Sequence, residues 1–199
     1  MPKAPSSEEY LKSVTIGEPR RLTGKIELAD YDPRWPELYA REEARIRTAL
    51  GERVLQIEHA GSTSVPGLAA KPIIDIVLVV ADSGDEASYL PALEAAGYRL
   101  RIREPSEFEH RMFKGPDTDV NLHLYSRGCD EIERMLRFRD WLRTHDEDRA
   151  LYQNTKRELA QKDWKYVQNY ADAKSAVVAE IMARAELLAS VNVADATER

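Results

Sequence analysis

The feature that most constrains the fold is an unbroken apolar run, PIIDIVLVV at residues 72–80, in which Asp75 is the only charged residue. A strand that is apolar on both faces must be covered on both faces, as happens inside the sheets of α/β proteins. Shorter segments at residues 99–103, 110–114 and 119–126 alternate in polarity, which is typical of strands that face solvent or a cleft on one side. The sequence therefore predicts a sheet with a buried strand in it.

The remaining segments predict helices around this sheet. Two more strands are expected at residues 25–30 and 53–59, and two helices at residues 32–51 and 87–98. From residue 130 the pattern changes to long helices, one over residues 130–145 and one from about residue 147 to about residue 188. The predicted fold class is α/β, with a mixed β-sheet flanked by helices and a C-terminal helical segment.

This pattern predicts one domain with loose ends. We expect a flexible N-terminal arm at residues 1–23, a single domain at residues 24–190 and a loose tail at residues 191–199. Within the domain, residues 24–127 are the sheet-containing core and residues 128–190 are the helical part.

The composition excludes several classes of function. A net charge of −6 argues against a broad surface for nucleic acid, although a local basic pocket is compatible with it. The single cysteine, Cys129, cannot form an intrachain disulfide, and no apolar run is long enough to span a membrane. We expect a cytoplasmic protein, and the sequence does not predict its oligomeric state.

The most informative motif lies between two predicted strands. Gly61 is followed by Ser62, Thr63 and Ser64, which supply backbone N–H and hydroxyl groups in a short turn where a phosphate can approach closely. Asp75 then lies at the start of the next strand, where a carboxylate suits a divalent cation bridging phosphate oxygens. The alternative is a tight turn without a ligand, with Asp75 as a loop cap.

Five stretches, taken in order, resemble the GrpB family, a branch of the nucleotidyltransferase fold: YDPRWPELYAREEARIRTALG, IEHAGSTSVPGLAAKPIIDIVLVV, EHRMF, VNLHLY and FRDWLRTH. The resemblance covers roughly residues 25–185. It implies a nucleotidyltransferase-like mixed sheet, with Gly61 and Ser62 at the glycine-serine position and Asp75 at the metal-aspartate position. In some chains the domain is fused to dephospho-coenzyme A kinase, which implies a binding or folding-assistance role as an alternative to catalysis.

The sequence departs from the superfamily pattern at its metal ligands. Val77 stands where a second carboxylate is expected, and the later strand offers Asn121 and His123 in place of a third. One interpretation is a rebuilt metal site of Asp75, His59, His123 and Asn121, with Asp75 and His123 as catalytic residues. The metal expected there is magnesium or manganese, with zinc as an alternative, and the imidazole ligands favour manganese, iron or zinc over magnesium. The other interpretation is a ligand pocket that has lost metal-dependent catalysis.

Basic side chains near the motif are candidates for binding the charged groups of a nucleotide or of its acceptor. The alternative for each is an ordinary solvated or ion-paired side chain. The six candidates are Lys71, Arg101, Arg103, Arg111, Arg134 and Lys174.

The leading hypothesis is a protein that binds a nucleoside triphosphate and transfers a nucleotidyl group to a small hydroxyl or amino acceptor. The second hypothesis is a non-catalytic module that binds a nucleotide or another phosphate ligand. The third is an interaction domain in which the motif is only a turn.

Overall fold

The computed structural model describes residues 6–197, with side chains through residue 188. Residues 1–5 of the predicted arm and residues 198–199 of the predicted tail lie outside the described residues. Within residues 6–197, no helix is both long and apolar enough to cross a membrane.

In residues 6–197, five strands and seven α-helices follow one another. The first half contains α1 (Glu8–Val14), α2 (Trp35–Leu50), β1 (Gln56–Ala60), β2 (Ile74–Val80) and α3 (Leu90–Ala95). Three strands come next, β3 (Arg99–Glu104), β4 (His110–Lys114) and β5 (Val120–Ser126). The chain then continues as α4 (Asp130–Thr144), α5 (Asp146–Ala160), α6 (Val167–Ala173) and α7 (Ser175–Thr197).

The strands form one mixed sheet in the order β1-β2-β5-β4-β3. β2 and β5 are parallel, and the other neighbouring pairs are antiparallel. The apolar run of residues 72–80 becomes β2, which lies inside the sheet between β1 and β5. The prediction of a mixed sheet flanked by helices is confirmed.

Alternation along β2 divides the sheet into two faces that bury different residues. On the α2 face, Ile76 and Leu78 pack against Trp35 and Ile46 of α2 in the main core. On the opposite face, which we call the pocket face, Val77 belongs to a smaller apolar cluster that includes side chains from β1, β5 and α4. Asp75 shares the parity of Val77, so its carboxylate lies on the pocket face.

The predicted flexible arm is wrong for residues 6–23, because this segment is hydrogen-bonded to the domain at both ends. The Ser6 backbone N–H donates to Asp172 of α6 at 2.7 Å, and the Tyr10 hydroxyl donates to Glu104 of β3 at 2.6 Å. Further along, the Ile16 N–H donates to the carbonyl of Arg101 at 2.8 Å. The segment therefore connects the β3 edge of the sheet to α6.

Three other boundaries differ from the prediction. Residues 25–30 form no strand and pair only through a single bridge between Ala29 and Ala70. The helix predicted over residues 147–188 is three helices, since the Trp164 indole N–H donates to the carbonyl of Leu159 and occupies the end of α5. The predicted loose tail is helical through residue 197, as the end of α7.

Candidate functional site

A cavity of about 1510 Å³ opens on the pocket face of the sheet. Its lining comes from β2, β5, β4 and β3 of the sheet, from α4, α5, α6 and α7, and from the N-terminal segment. Of the predicted site residues, the cavity is lined by Gly61, Ser62, Lys71, Asp75, Arg101, Asn121, His123, Arg134 and Lys174.

The centre of the floor is the parallel pair β2–β5. Asp75 pairs in register with Asn121, and the Asn121 amide donates to Asp75 Oδ1 at 2.8 Å. His123 Nε2 lies 3.8 Å from the same oxygen. Burial raises the pKa of Asp75, but the contacts with His123 and Asn121 and the charge of Lys71 outweigh this, so the pKa is lowered and the group is an anion near neutral pH.

Gly61 allows the turn after β1 to lie against Asp75. Its φ of 64° and ψ of −171° belong to a region that is essentially restricted to glycine. A Cβ at this position would lie 2.3 Å from Asp75 Oδ2, well inside van der Waals contact. The glycine therefore places the backbone of residues 61–62 directly beside the carboxylate.

The hydroxyl groups of the turn have two different roles. Ser62 lines the cavity, whereas Thr63 and Ser64 are buried and bonded within the loop. Thr63 Oγ1 donates to the carbonyl of Ile73 at 3.1 Å, and Ser64 Oγ donates to the carbonyl of Gly61 at 2.6 Å. The prediction that Thr63 and Ser64 hold a ligand with their hydroxyls is wrong, since these groups already hold the turn.

Lys156 of α5, which was not among the residues predicted from the sequence, is hydrogen-bonded to this turn. Its side chain is buried, with 2% of the residue exposed. The ammonium group donates to Ser62 Oγ at 3.0 Å and to the carbonyl of Ala69, and it lies 4.8 Å from the ring centroid of Tyr152. A buried cation is therefore bonded to the one serine hydroxyl of the turn that faces the cavity.

Two predicted lysines complete a basic cluster beside Asp75. Lys71 Nζ and Lys174 Nζ lie 5.6 Å and 5.1 Å from the ring centroid of Tyr170, so both ammonium groups are held over one aromatic ring. We refer to Lys71, Lys156 and Lys174 as the lysine cluster.

Burial lowers the pKa of every member of the lysine cluster, and repulsion from neighbouring cations lowers the pKa of Lys71 and Lys156 further. Burial, followed by the charge of Lys174, lowers the pKa of Lys71 to about 8. Burial and the neighbouring cations lower the pKa of Lys156 to about 7, and burial also lowers the pKa of Lys174. A lowered pKa means that the charged form of each lysine is destabilised in the protein. A bound anion stabilises that charged form, so the cluster favours a polyanionic ligand.

A second polar chain leads away from Asp75 along the floor. His123 Nδ1 lies 3.0 Å from Nε2 of His110, and Nδ1 of His110 lies 2.6 Å from Glu104 Oε2. Two tautomers of His123 fit this chain. In one, Nδ1–H donates to His110 and Nε2 is an unprotonated acceptor; in the other, His110 donates to Nδ1 and Nε2–H is directed toward Asp75. The first provides a proton acceptor at the cavity floor, and the second is the contact that lowers the pKa of Asp75.

His59 does not belong to this site, and its prediction as a metal ligand is wrong. It pairs with Ile76 and so lies on the α2 face, opposite to Asp75. Its ring stacks on Tyr39 of α2 at 4.8 Å between centroids, and Nε2 lies 3.1 Å from Thr63 Oγ1. Burial lowers the pKa of His59 to about 4, as expected for a neutral packed ring.

The four predicted arginines divide between the two faces. A bulge between Leu100 and Ile102 breaks the alternation of β3, so Arg103 lies on the α2 face together with Arg111. Both form ion pairs with Glu86, which contradicts their predicted ligand role. Arg101 and Arg134 line the cavity; the Arg101 guanidinium donates to the carbonyl of Glu18, and Arg134 forms an ion pair with Glu131.

The residues present do not fit the predicted divalent metal. Val77, at the position of the expected second carboxylate, is fully buried among apolar side chains. Within residues 6–188, no group of three or more His, Cys, Asp or Glu side chains is arranged to hold a metal ion. The lysine cluster also places positive charge around Asp75, which opposes a cation there.

Two of the groups that the sequence analysis missed left a weak signal. Lys156 lies on the buried stripe of α5 with Tyr152 and Leu159, at helical spacings of four and three residues. His110 shares the parity of Met112 on β4, which points to the pocket face. Their contacts with Ser62 and His123 join distant parts of the chain, which periodicity alone does not reveal.

Fold and site together define an α/β protein with a glycine-serine turn, bonded to a buried lysine, at the floor of a large cavity. Residues 25–184 match the family described as GrpB protein, and the chain belongs to that family.

Three related proteins illustrate the similarity. The chain is 62% identical over 181 residues to the UPF0157 protein BH1888 of Halalkalibacterium halodurans, covering 91% of this chain and 93% of the relative. It is similar to the crystal structure of the conserved protein GrpB from Enterococcus faecalis, with a TM-score of 0.68, 33% identity, and coverage of 80% of this chain and 96% of that one. It is also 30% identical over 163 residues to a dephospho-CoA kinase of Mycolicibacterium paratuberculosis, covering 69% of this chain and 40% of that protein.

Proposed function

We propose that the cavity binds a nucleoside triphosphate, with its phosphates on Ser62 and the lysine cluster. The observation that carries this proposal is a group of three lysines from separate parts of the chain. Lys156 is bonded to Ser62, and Lys71 and Lys174, which line the same cavity as Ser62, lie over the ring of Tyr170. The cavity of about 1510 Å³ is large enough for a nucleotide together with a small acceptor.

Titration of ATP, GTP, CTP and UTP into the protein at pH 7 tests binding, and the Lys71→Met variant tests the site. Loss of one hydrogen bond from a charged donor costs roughly 1.5–3 kcal/mol, so we expect an affinity about 10- to 150-fold weaker. The matched control is Lys114→Met, because Lys114 also lines the cavity but is already paired with Asp119 at 2.9 Å. The proposal fails if no nucleotide binds, or if both variants weaken binding equally.

A second candidate function is transfer of the nucleotidyl group to a small hydroxyl or amino acceptor. The chain from Glu104 through His110 to His123 favours it, because the tautomer in which Nδ1–H of His123 donates to His110 leaves a proton acceptor beside the proposed phosphate site. In such a step the acceptor oxygen or nitrogen bonds to the α-phosphorus, and the bond from that phosphorus to its bridging oxygen breaks. Pyrophosphate leaves, and the acceptor proton passes to Nε2 of His123.

Release of pyrophosphate in the presence of a panel of small alcohols and amines tests this candidate. Removing a general base typically costs about 10²- to 10⁴-fold in rate, so His123→Asn should lower release by that factor. Nucleotide affinity should change little, because His123 is not in the lysine cluster. Release that is unaffected by His123→Asn would exclude this role for the histidine, and absence of release with every acceptor would favour the non-catalytic binding module.

A further inference from the structure

The carboxylates around the proposed phosphate site are too few for a metal-bridged ligand. A cation that bridges phosphate oxygens needs several oxygen ligands from the protein or from water. β2 supplies Asp75 alone, because Val77 is fully buried in an apolar cluster and has no oxygen to offer a cation. One oxygen of Asp75 is already bonded to the amide of Asn121.

Positive charge is supplied by the protein chain itself. Lys71 precedes β2, Lys156 lies in α5 and Lys174 lies at the junction of α6 and α7, so three separate segments contribute one ammonium group each. Lys71 and Lys174 both lie over the ring of Tyr170, and Lys156 acts through the hydroxyl of Ser62. Against these three cations, Asp75 contributes one negative charge.

We propose that the site binds the phosphates of a nucleoside triphosphate as the metal-free anion, with the lysine cluster neutralising the charge that a divalent cation would otherwise neutralise. This inference rests on the proposed function, since it specifies the form in which the same ligand binds. A polyanion compensates the repulsion among the three ammonium groups, whereas a complex of the polyanion with a divalent cation adds positive charge to a site that has an excess of it.

Calorimetric titration of ATP at pH 7, in EDTA and in excess Mg²⁺, tests the inference. We expect binding in EDTA, with an affinity several-fold weaker in Mg²⁺ because the cation withdraws charge from the phosphates. The Asp75→Asn variant sharpens the comparison. In the metal-free arrangement the carboxylate repels the phosphates, so this variant should bind ATP in EDTA at least as tightly as the wild type does.

The possible results distinguish metal-free binding of the triphosphate from nucleotide binding itself, the function on which this inference rests. ATP that binds only when Mg²⁺ or Mn²⁺ is present, with that binding lost in Asp75→Asn, would overturn the inference while leaving nucleotide binding in place. ATP that binds under neither condition would overturn the proposed function itself. Folding of the variant is checked by its thermal unfolding, and Asn121→Asp, which adds a second carboxylate beside Asp75, should weaken binding in EDTA.

Discussion

Replacement of Lys156 by methionine is expected to weaken ATP binding by about 10- to 150-fold, the range for loss of a hydrogen bond from a charged donor. Methionine keeps the unbranched aliphatic stem that packs within α5 and over Tyr152, but it has neither charge nor donor. Lys156 is a positioning residue, because its ammonium group donates to Ser62 Oγ and thereby orients the hydroxyl that faces the cavity. Isothermal titration of ATP into wild type and variant measures the effect.

Although Lys156→Met should bind ATP more weakly, its free energy of unfolding should not fall. Burial lowers the pKa of Lys156 to about 7 from an ordinary value of 10.5, which means that the fold is destabilised by the charged form. Between these two values the unfolded chain binds a proton that the folded chain does not, so the free energy of unfolding rises with pH across this window. Burial of the charged Lys156 destabilises the fold fully below about pH 7, its pKa in the folded protein, and no longer above about pH 10.5, its pKa in the unfolded chain.

Lys156→Met removes this titrating group, so urea unfolding should give a flatter dependence of stability on pH between about 7 and 10. At pH 7 the variant should be at least as stable as the wild type, although the carbonyl of Ala69 loses a donor. The control is Gln153→Met, because Gln153 accepts from the Ala69 N–H at 2.7 Å and is uncharged. This control should lose stability without the change in pH dependence. Equal losses of stability in both variants would make Lys156 a structural residue.

The sequence predicts those site residues whose positions follow from the alternation of side chains along β2 and β5. A fully apolar strand interrupted by Asp75 predicts a buried β2, and alternation on β5 puts Asn121 and His123 on one face of it. The structure confirms that the two strands are neighbours and that Asp75 pairs with Asn121. The Gly61 turn begins the connection between β1 and β2, which are antiparallel neighbours in the sheet.

Other parts depend on features that a single sequence does not carry. His59 and Asp75 lie on opposite faces because Ala60, and not His59, pairs with Asp75, and the intervening loop sets that register. Arg103 changes face because of one bulge in β3. Lys156 reaches Ser62 across 94 positions of sequence, a contact that helix packing creates.

The measurement that tests the account most directly is the number of protons taken up when ATP binds at pH 8 in EDTA. At this pH Lys71, with a pKa of about 8, is half charged, and Lys156, with a pKa of about 7, is mostly uncharged. A bound polyanion raises both pKa values, so the protein must take up protons. The terminal phosphate does not contribute, because its second pKa is near 6 and it is already ionised.

The other charged and titratable groups that act on the two lysines are Asp75, Lys114, Asp119, Arg157 and Lys174. Calorimetry at pH 8 in buffers of different ionisation enthalpy gives the uptake as the slope of the observed enthalpy. We predict uptake of between about one half and one and a half protons per ATP, and a smaller value for Lys156→Met. ATP binding with no proton uptake, or with release of protons, would contradict the account, because the phosphates would then bind somewhere other than the lysine cluster.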